Sequence, residues 1–279
     1  MPHSHRTKES RMNPRKISVE RYPAPSRSDK AALLFVHGAY VNSSCWTFNF
    51  IPFFQAQGYD CFTVDHSGHG DSEGRERIDD FGIGDYVDDV KLALAEIGRS
   101  AIVVGHSMGA RVLERFLEND SAAAVIFLSP VPTTGTAGSA MQLLLRYPNF
   151  LESLNAAVNG KISAKTSQMM TEIYFSPDVT PDEILQFLPM LCPESQQAVT
   201  EMALPETRFG IRRSQLPALV IGGIEDAVFP ASMLHFLASS WRADLYRAAG
   251  AGHMLMLDPQ WDTVAGHMLA WMEKRVAAA

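Results

Sequence analysis

The apolar run Ala101-Ile102-Val103-Val104 leads directly into Gly105-His106-Ser107-Met108-Gly109, and this junction constrains the fold more than any other stretch. The run predicts a buried strand and the residues from Ala110 onward predict a helix, so the chain must turn sharply between them. A strand–turn–helix of this kind presents the central serine on a strained bend, with its hydroxyl clear of the sheet. Glycine is required at 105 and 109 because a Cβ there collides with the neighbouring strand or helix; it also accepts backbone angles other residues resist. By composition Gly-x-Ser-x-Gly arises by chance in roughly one chain in ten of this length, at about 7% usage of each residue. Its flanking patterns are what make it informative.

Strand patterns recur at Ile17–Tyr22, Ala31–Val36, Tyr59–Asp65, Ala101–Val104, Ala123–Leu128, Ala218–Gly222 and Asp244–Arg247, alternating with helical stretches. That alternation predicts an α/β fold with a mostly parallel central sheet flanked by helices. Ile83, Val87, Val90, Leu94 and Ile97 form one helical stripe after Asp80; Trp261, Val264, Met268, Trp271 and Arg275 form another, Arg275 being its wet end. Between residues 131 and 216 the alternation stops. Helical patterns at Met141–Tyr147, Ala164–Tyr174, Pro181–Leu191 and Ser195–Ala203, punctuated by prolines, predict a helical cap inserted between two strands. The expected organisation is a disordered basic tail over residues 1–16, a core formed by 17–130 and 217–279, and a cap over 131–216.

A serine hydroxyl needs an adjacent base, and the base needs a carboxylate to orient it and to stabilise the imidazolium. Of nine histidines, His3 and His5 lie in the tail. His37, His66, His69 and His106 sit in turns whose backbone demands account for them, and His235 and His267 fall within helices. His253 follows Gly250-Ala251-Gly252 after the last strand and precedes the final helix, so it can reach Ser107. The carboxylate is Asp226, just beyond the strand Leu219–Gly222, where ligand sites of open α/β sheets lie; its neighbour Glu225 competes for the role. Neighbouring side chains on an extended segment point apart, so only one can face the histidine. Backbone N–H groups should hold the developing oxyanion. One is that of Met108, and the other lies in the loop His37-Gly38-Ala39-Tyr40, with Ala39 preferred and Tyr40 an alternative.

With these residues in view the chain resembles the α/β-hydrolases over nearly everything after Ile17. His37-Gly38, the elbow at 105–109, Asp226 with Pro230, and Gly252-His253 carry the likeness. The segment Asp65-His66-Ser67-Gly68-His69-Gly70-Asp71-Ser72-Glu73-Gly74-Arg75, with Phe81, Tyr86 and Asp89, is similar to monoacylglycerol lipases and lysophospholipase-like esterases. Glu73-Gly74-Arg75 is the part that points to that branch. The resemblance implies a carboxylic ester hydrolase with a helical cap, using Ser107, His253 and Asp226 and neither metal nor organic cofactor. Two departures stand out: Ala110 replaces a second glycine common in lipases, and a single strand pattern precedes Ala31, so one antiparallel strand is expected to be missing. Thioester hydrolysis, carbon–carbon bond hydrolysis and acyl transfer remain alternatives, as does a slow-turnover small-molecule receptor, because all keep the same three residues.

The net charge of −7 and the lack of basic clusters argue against nucleic acid. No apolar run is long enough to span a bilayer. Residues 1–16 carry five basic residues against one acidic and no apolar segment follows, which argues against a secretory leader. Cys45, Cys61 and Cys192 lack metal or disulfide spacing and read as reduced thiols of a cytoplasmic protein. Asp65, His66 and His69 share one glycine-rich turn with no distant fourth ligand, so backbone packing is preferred there over a metal site. The expected ligand is a small apolar ester of small or medium acyl chain. Met141, Leu143, Leu144, Leu145, Met169, Met170, Met190 and Met202 of the cap are read mainly as packing residues, with flexible thioethers suited to a loosely specified apolar cleft.

Overall fold

The computed structural model describes residues 15–27, 29–205 and 216–276. Strands β1 (Ser18–Tyr22), β2 (Ala32–Val36), β3 (Cys61–Asp65), β4 (Ala101–His106), β5 (Ala124–Leu128), β6 (Ala218–Gly223) and β7 (Asp244–Ala248) form one sheet in the order β1-β3-β2-β4-β5-β6-β7. All neighbours pair in parallel except β1, which runs antiparallel to β3 with Ser18 opposite Asp65. Among the described residues β1 is the only antiparallel strand, in keeping with the single strand pattern before Ala31.

Strands β2 to β6 are buried along their whole length, whereas the edge strands β1 and β7 are partly exposed. The reason is coverage of both faces, which turns each inner strand into a continuous apolar run. Leu33, Phe35, Ile102, Val104, Ile126 and Leu128 feed the core on one face; Leu34, Val36, Val103, Val125, Phe127 and Val220 feed the other. Helices α1 (Phe50–Ala56) and α10 (Trp261–Arg275) pack on the first face. On the second lie α2 (Ile83–Ile97), α3 (Met108–Phe116) and α9 (Leu234–Trp241). Helix α2 begins at Gly82, whose N–H donates to Asp85, and stops at Gly98 with φ 64°. A left-handed residue there ends a helix without the steric cost a Cβ would add.

Between β5 and β6 the chain forms α4 (Ala137–Arg146), α5 (Phe150–Val158), α6 (Ala164–Tyr174), α7 (Pro181–Phe187) and α8 (Gln196–Ala203). Thr180 and Glu183 close a capping box at the start of α7, and Ser163 and Ser195 cap α6 and α8. A single helix over Pro181–Leu191 is not what forms. Helix α7 ends at Phe187 and a 3₁₀ turn, Leu188–Met190, follows, because Pro189 has no N–H to continue the ladder. Helix α5 was not expected, although Phe150, Leu154 and Ala157 lie on one buried stripe. Leu143, Leu154, Met170 and Phe187 belong to the same continuous core as Leu33 and Phe35, so these helices share the sheet's apolar interior. Residues 206–215 of the expected cap lie outside the described residues.

Of the expected tail, residues 1–14 lie outside the described residues. Its last two do not behave as a tail. The Arg15 guanidinium donates to Asp85 at 2.6 Å and lies over the Phe81 ring, and the Lys16 carbonyl accepts from Glu73 N–H at 3.1 Å. Arg15 is therefore held in place, because a cation there meets a carboxylate and an aromatic face at the start of α2. No helix among the described residues is long and apolar enough to cross a membrane.

Candidate active site

From β2 the chain crosses to β3 on one side, and from β3 it returns to β4 on the other. The loops leaving β2 and β4 therefore diverge, and the crevice between them is where open α/β sheets place ligands. Ser107 sits there, between β4 and α3, at φ 51° and ψ −113°. A non-glycine residue held at positive φ costs of order 1 kcal/mol or more and persists only where its surroundings fix it. The surroundings are tight. A Cβ on Gly105 would lie 2.6 Å from Gly109 O, and one on Gly109 would lie 2.4 Å from Val36 O. Ser107 itself is 8% exposed.

Asp226 lies in the turn after β6. Its Oδ1 accepts from Val228 N–H and Phe229 N–H, both at 2.8 Å, and its Oδ2 accepts from His253 Nδ1 at 2.8 Å. Glu225 points outward and is exposed, so the structure brings Asp226, not Glu225, to the histidine. Because Nδ1–H donates to a carboxylate, Nε2 of the neutral ring is left to take up a proton. His253 is enclosed by the rings of His106, Phe229 and Tyr174, with centroids 4.9, 5.3 and 6.0 Å away. Ser107 and His253 line the same cavity. Among the described residues no hydrogen bond closes between them; such contacts commonly tighten only when substrate is bound.

The His253 loop is held from both sides. His253 and Met254 N–H donate to Tyr174 O at 2.9 and 3.0 Å, at the end of α6. Asp258 Oδ2 accepts from Gly252 N–H and Ser176 N–H, at 3.0 and 2.8 Å, and its Oδ1 accepts from the Ser176 hydroxyl at 3.1 Å. Burial pushes the Asp258 carboxyl above its usual range despite these donors. His106 Nε2 donates to the His253 carbonyl at 3.1 Å, and complete burial holds that ring neutral, well below the ordinary histidine range.

Met108 opens α3, so its N–H has no acceptor within the helix. The loop carrying Ala39 is fixed by His37. The His37 Nε2 accepts from His66 N–H at 3.1 Å, which leaves Nδ1–H to donate to Gly38 O at 2.8 Å. Burial, with the neighbouring rings of His66 and His69, pushes His37 down to about 3, so the ring stays neutral and able to accept. Gly38 C=O and Ala39 N–H belong to one trans peptide and point opposite ways. Fixing the carbonyl therefore fixes the direction of the Ala39 N–H. The Tyr40 N–H is engaged by Glu194 Oε2 at 3.4 Å, which favours Ala39 over Tyr40 as a free donor.

Asp65 serves the backbone: it accepts from Ser43 N–H at 2.8 Å and Asp71 N–H at 3.0 Å. His69 pairs with Glu194 at 3.0 Å, and His66 stacks on Tyr86. No group of residues suited to a metal ion occurs among the described residues.

The cavity above Ser107 measures about 180 Å³. Leu143, Phe150, Leu154, Phe187, Val228 and Met202 contribute to its wall, and among the described residues no Asp, Glu, Lys or Arg reaches it. Of the eight apolar residues singled out between 141 and 202, only Leu143 and Met202 line it. Met141 and Leu145 are exposed, and Met170 and Met190 are buried elsewhere. Sequence reasoning missed three supports of the site: Glu194, Asp258 and the positioning contact of His106. Asp258 had a local signal in its Asp-Pro step beside the histidine loop. Glu194 had none, because its partner His69 lies 125 residues away.

A family model described as "Alpha/beta hydrolase family" matches residues 33–266. No curated protein sequence matches the chain. Solved structures similar to it include an esterase from Exiguobacterium antarcticum, with TM-score 0.75 and 15% identity over 93% of this chain and 96% of that one. A monoacylglycerol lipase from Paleococcus ferrophilus gives 0.68 and 18% over 95% and 100%, and a bromoperoxidase from Bacillus anthracis gives 0.73 and 17% over 94% and 96%. At these identities the likeness is one of fold.

Proposed function

Because the chain belongs to the alpha/beta hydrolase family, we propose that it is a serine hydrolase cleaving carboxylic esters of small or medium apolar acyl groups. The observation that carries this reading is the Asp226–His253 hydrogen bond of 2.8 Å beside a serine held at φ 51° on the floor of an apolar cavity. Ser107 Oγ attacks the ester carbonyl carbon while His253 Nε2 takes its proton. The carbonyl oxygen becomes an oxyanion facing the N–H groups of Ala39 and Met108, each worth roughly 3–4 kcal/mol in related chemistry. As the tetrahedral centre collapses, the C–O bond to the leaving group breaks and His253 returns the proton to the departing alcohol. Water, deprotonated by the same ring, then releases the acid and regenerates Ser107. Asp226 stabilises the imidazolium in both halves.

The wall that the described residues form carries no Asp, Glu, Lys or Arg, which favours a neutral acyl chain, because a charged group would be desolvated against it. Neither a metal nor an organic cofactor enters the scheme, and no nucleic acid or inserted membrane anchor is required. A cytoplasmic location is part of the reading, supported by three buried free thiols. Purified protein should hydrolyse nitrophenyl acyl esters, with a chain-length optimum set by the cavity, and Ser107→Ala should lower kcat by at least about 10³-fold while remaining folded. Equal rates for the variant would disprove the assignment. A thioester, a diketone and an alcohol acceptor in the same assay separate the alternative serine chemistries. Stoichiometric single turnover would favour a receptor.

A further inference from the structure

Tyr40 follows Ala39 in the loop after β2 and adopts φ 63°, a left-handed conformation that a bulky residue takes only when held there. What holds it comes from the insertion. Its N–H donates to Glu194 Oε2 at 3.4 Å, and its carbonyl accepts from Cys192 N–H at 2.9 Å. Three successive peptides of this loop are thus gripped: the first by His37 at Gly38 O, the second by Glu194, the third by Cys192. The middle grip is the conspicuous one, since it uses a carboxylate that is 3% exposed.

Glu194 is built into that position. Its Oε2 also accepts from His69 Nε2 at 3.0 Å, and its Oε1 accepts from the Tyr86 hydroxyl at 2.9 Å and Ser195 N–H at 2.8 Å. Four donors saturate the two oxygens, so the site accepts a carboxylate and has no place for an amide's NH₂. His69 faces acceptors at both ring nitrogens, Ser67 O at 3.3 Å and Glu194, which is the pattern of an imidazolium. Burial pushes His69 down and Glu194 up, but their mutual attraction together with the hydrogen bonds each makes outweighs it in both, so each stays charged. A buried ion pair adds little net stability over well-packed apolar residues, so stability is a weak reason for its presence.

We propose that Glu194 is a positioning residue for the reaction: through Tyr40 it sets the peptide geometry that aims the Ala39 N–H at the oxyanion. This rests on the serine-hydrolase reading above and on Ala39 serving as a donor. Residues 192–194, from the insertion between β5 and β6, thereby complete a site whose donor lies on the loop after β2.

The test compares wild type, Ser107→Ala, Glu194→Asp and Glu194→Gln. Glu194→Asp keeps the charge beside His69 but withdraws the carboxylate by one bond length, and the 3.4 Å contact to Tyr40, the longest of the four, is lost first. Its kcat on the best nitrophenyl ester should fall about 10-fold with KM within about threefold, since a displaced oxyanion donor weakens the transition state and not the acyl contacts. Affinity for a trifluoromethyl ketone of matching chain, whose adduct with Ser107 is an oxyanion, should fall by the same factor, while affinity for the product acid holds. A lowered melting temperature with kcat and ketone affinity unchanged would overturn the proposal. Should Glu194→Asp not fold, Glu194→Gln is judged by the same criterion. An inactive wild type would overturn the hydrolase reading instead. An active wild type, an inactive Ser107→Ala and an undiminished Glu194→Asp would overturn this inference alone.

Discussion

At the Ser107 elbow, position is set by backbone against backbone: Gly109 abuts Val36 O and His37 O, and Gly105 abuts the turn at Gly109 and Ala110. At the His253 loop it is set largely by buried side-chain acceptors reaching across the chain. Asp226 arrives from the turn after β6, and Asp258 ties Gly252 to Ser176 beyond α6. The first region fails when an atom is added, the second when an acceptor is removed or turned. Rigidity in the elbow is thus written in absent side chains, and in the histidine loop in carboxylates placed far apart in the sequence.

The largest effect expected from this contrast is at Asp226. Two backbone N–H groups occupy Oδ1. In Asp226→Asn the amide oxygen must stay with them, and the NH₂ is forced to face His253 Nδ1. That ring nitrogen must then accept, which places the proton on Nε2 and removes the proposed base. A fall in kcat on the order of 10⁴-fold, with the fold retained, is expected from steady-state kinetics and thermal unfolding. Retained activity would mean that the histidine is not oriented by this carboxylate.

The elbow is tested by addition. Gly109→Ala places a Cβ 2.4 Å from Val36 O, at the end of the buried inner strand β2, where backbone cannot yield cheaply. A loss of about 1–3 kcal/mol in denaturant unfolding is expected, together with reduced kcat. Gly84→Ala, in helix α2 with nothing within 4 Å, is the matched control and should stabilise by about 0.5–1 kcal/mol. If both substitutions have the same effect, the elbow is not specified by close approach.

This difference also explains what could be read in the sequence. The strands, their alternation with helices, and the elbow are local patterns: four to seven mostly apolar residues bounded by turn residues, or two glycines around a serine. Asp226 and His253 could be singled out because chain order and loop position narrow the choice, and the structure brings the two side chains together. Helix α5 escaped because its stripe begins directly after Pro148 and shares its apolar character with its neighbours. Glu194 escaped for a deeper reason. In sequence it is an acid beside the N-cap of α8, which is its commonest context, and only folding brings His69, Tyr86 and Tyr40 around it. The tail boundary was misplaced in the same way, since Arg15 is ordered by Asp85 and Phe81 some 70 residues on.

The smallest expected effect probes the weakest grip on the histidine loop. Ser176 donates its hydroxyl to Asp258 Oδ1 at 3.1 Å, while its own N–H and that of Gly252 occupy Oδ2. Ser176→Ala removes one of several donors to a buried carboxylate and should cost about 1 kcal/mol near neutral pH. The lost bond favours the ionised form of Asp258, whose pKa burial has already raised above 3.8. The cost of the substitution is therefore full above the folded pKa of Asp258 and shrinks as pH falls through it, as the protonated acid needs fewer donors. Unfolding curves of wild type and variant at a series of pH values should converge on the acid side. Curves that stay parallel down to the pH of an ordinary carboxyl would mean that Asp258 is not the acceptor through which Ser176 steadies the loop, and the contrast with the elbow would lose its clearest side-chain example.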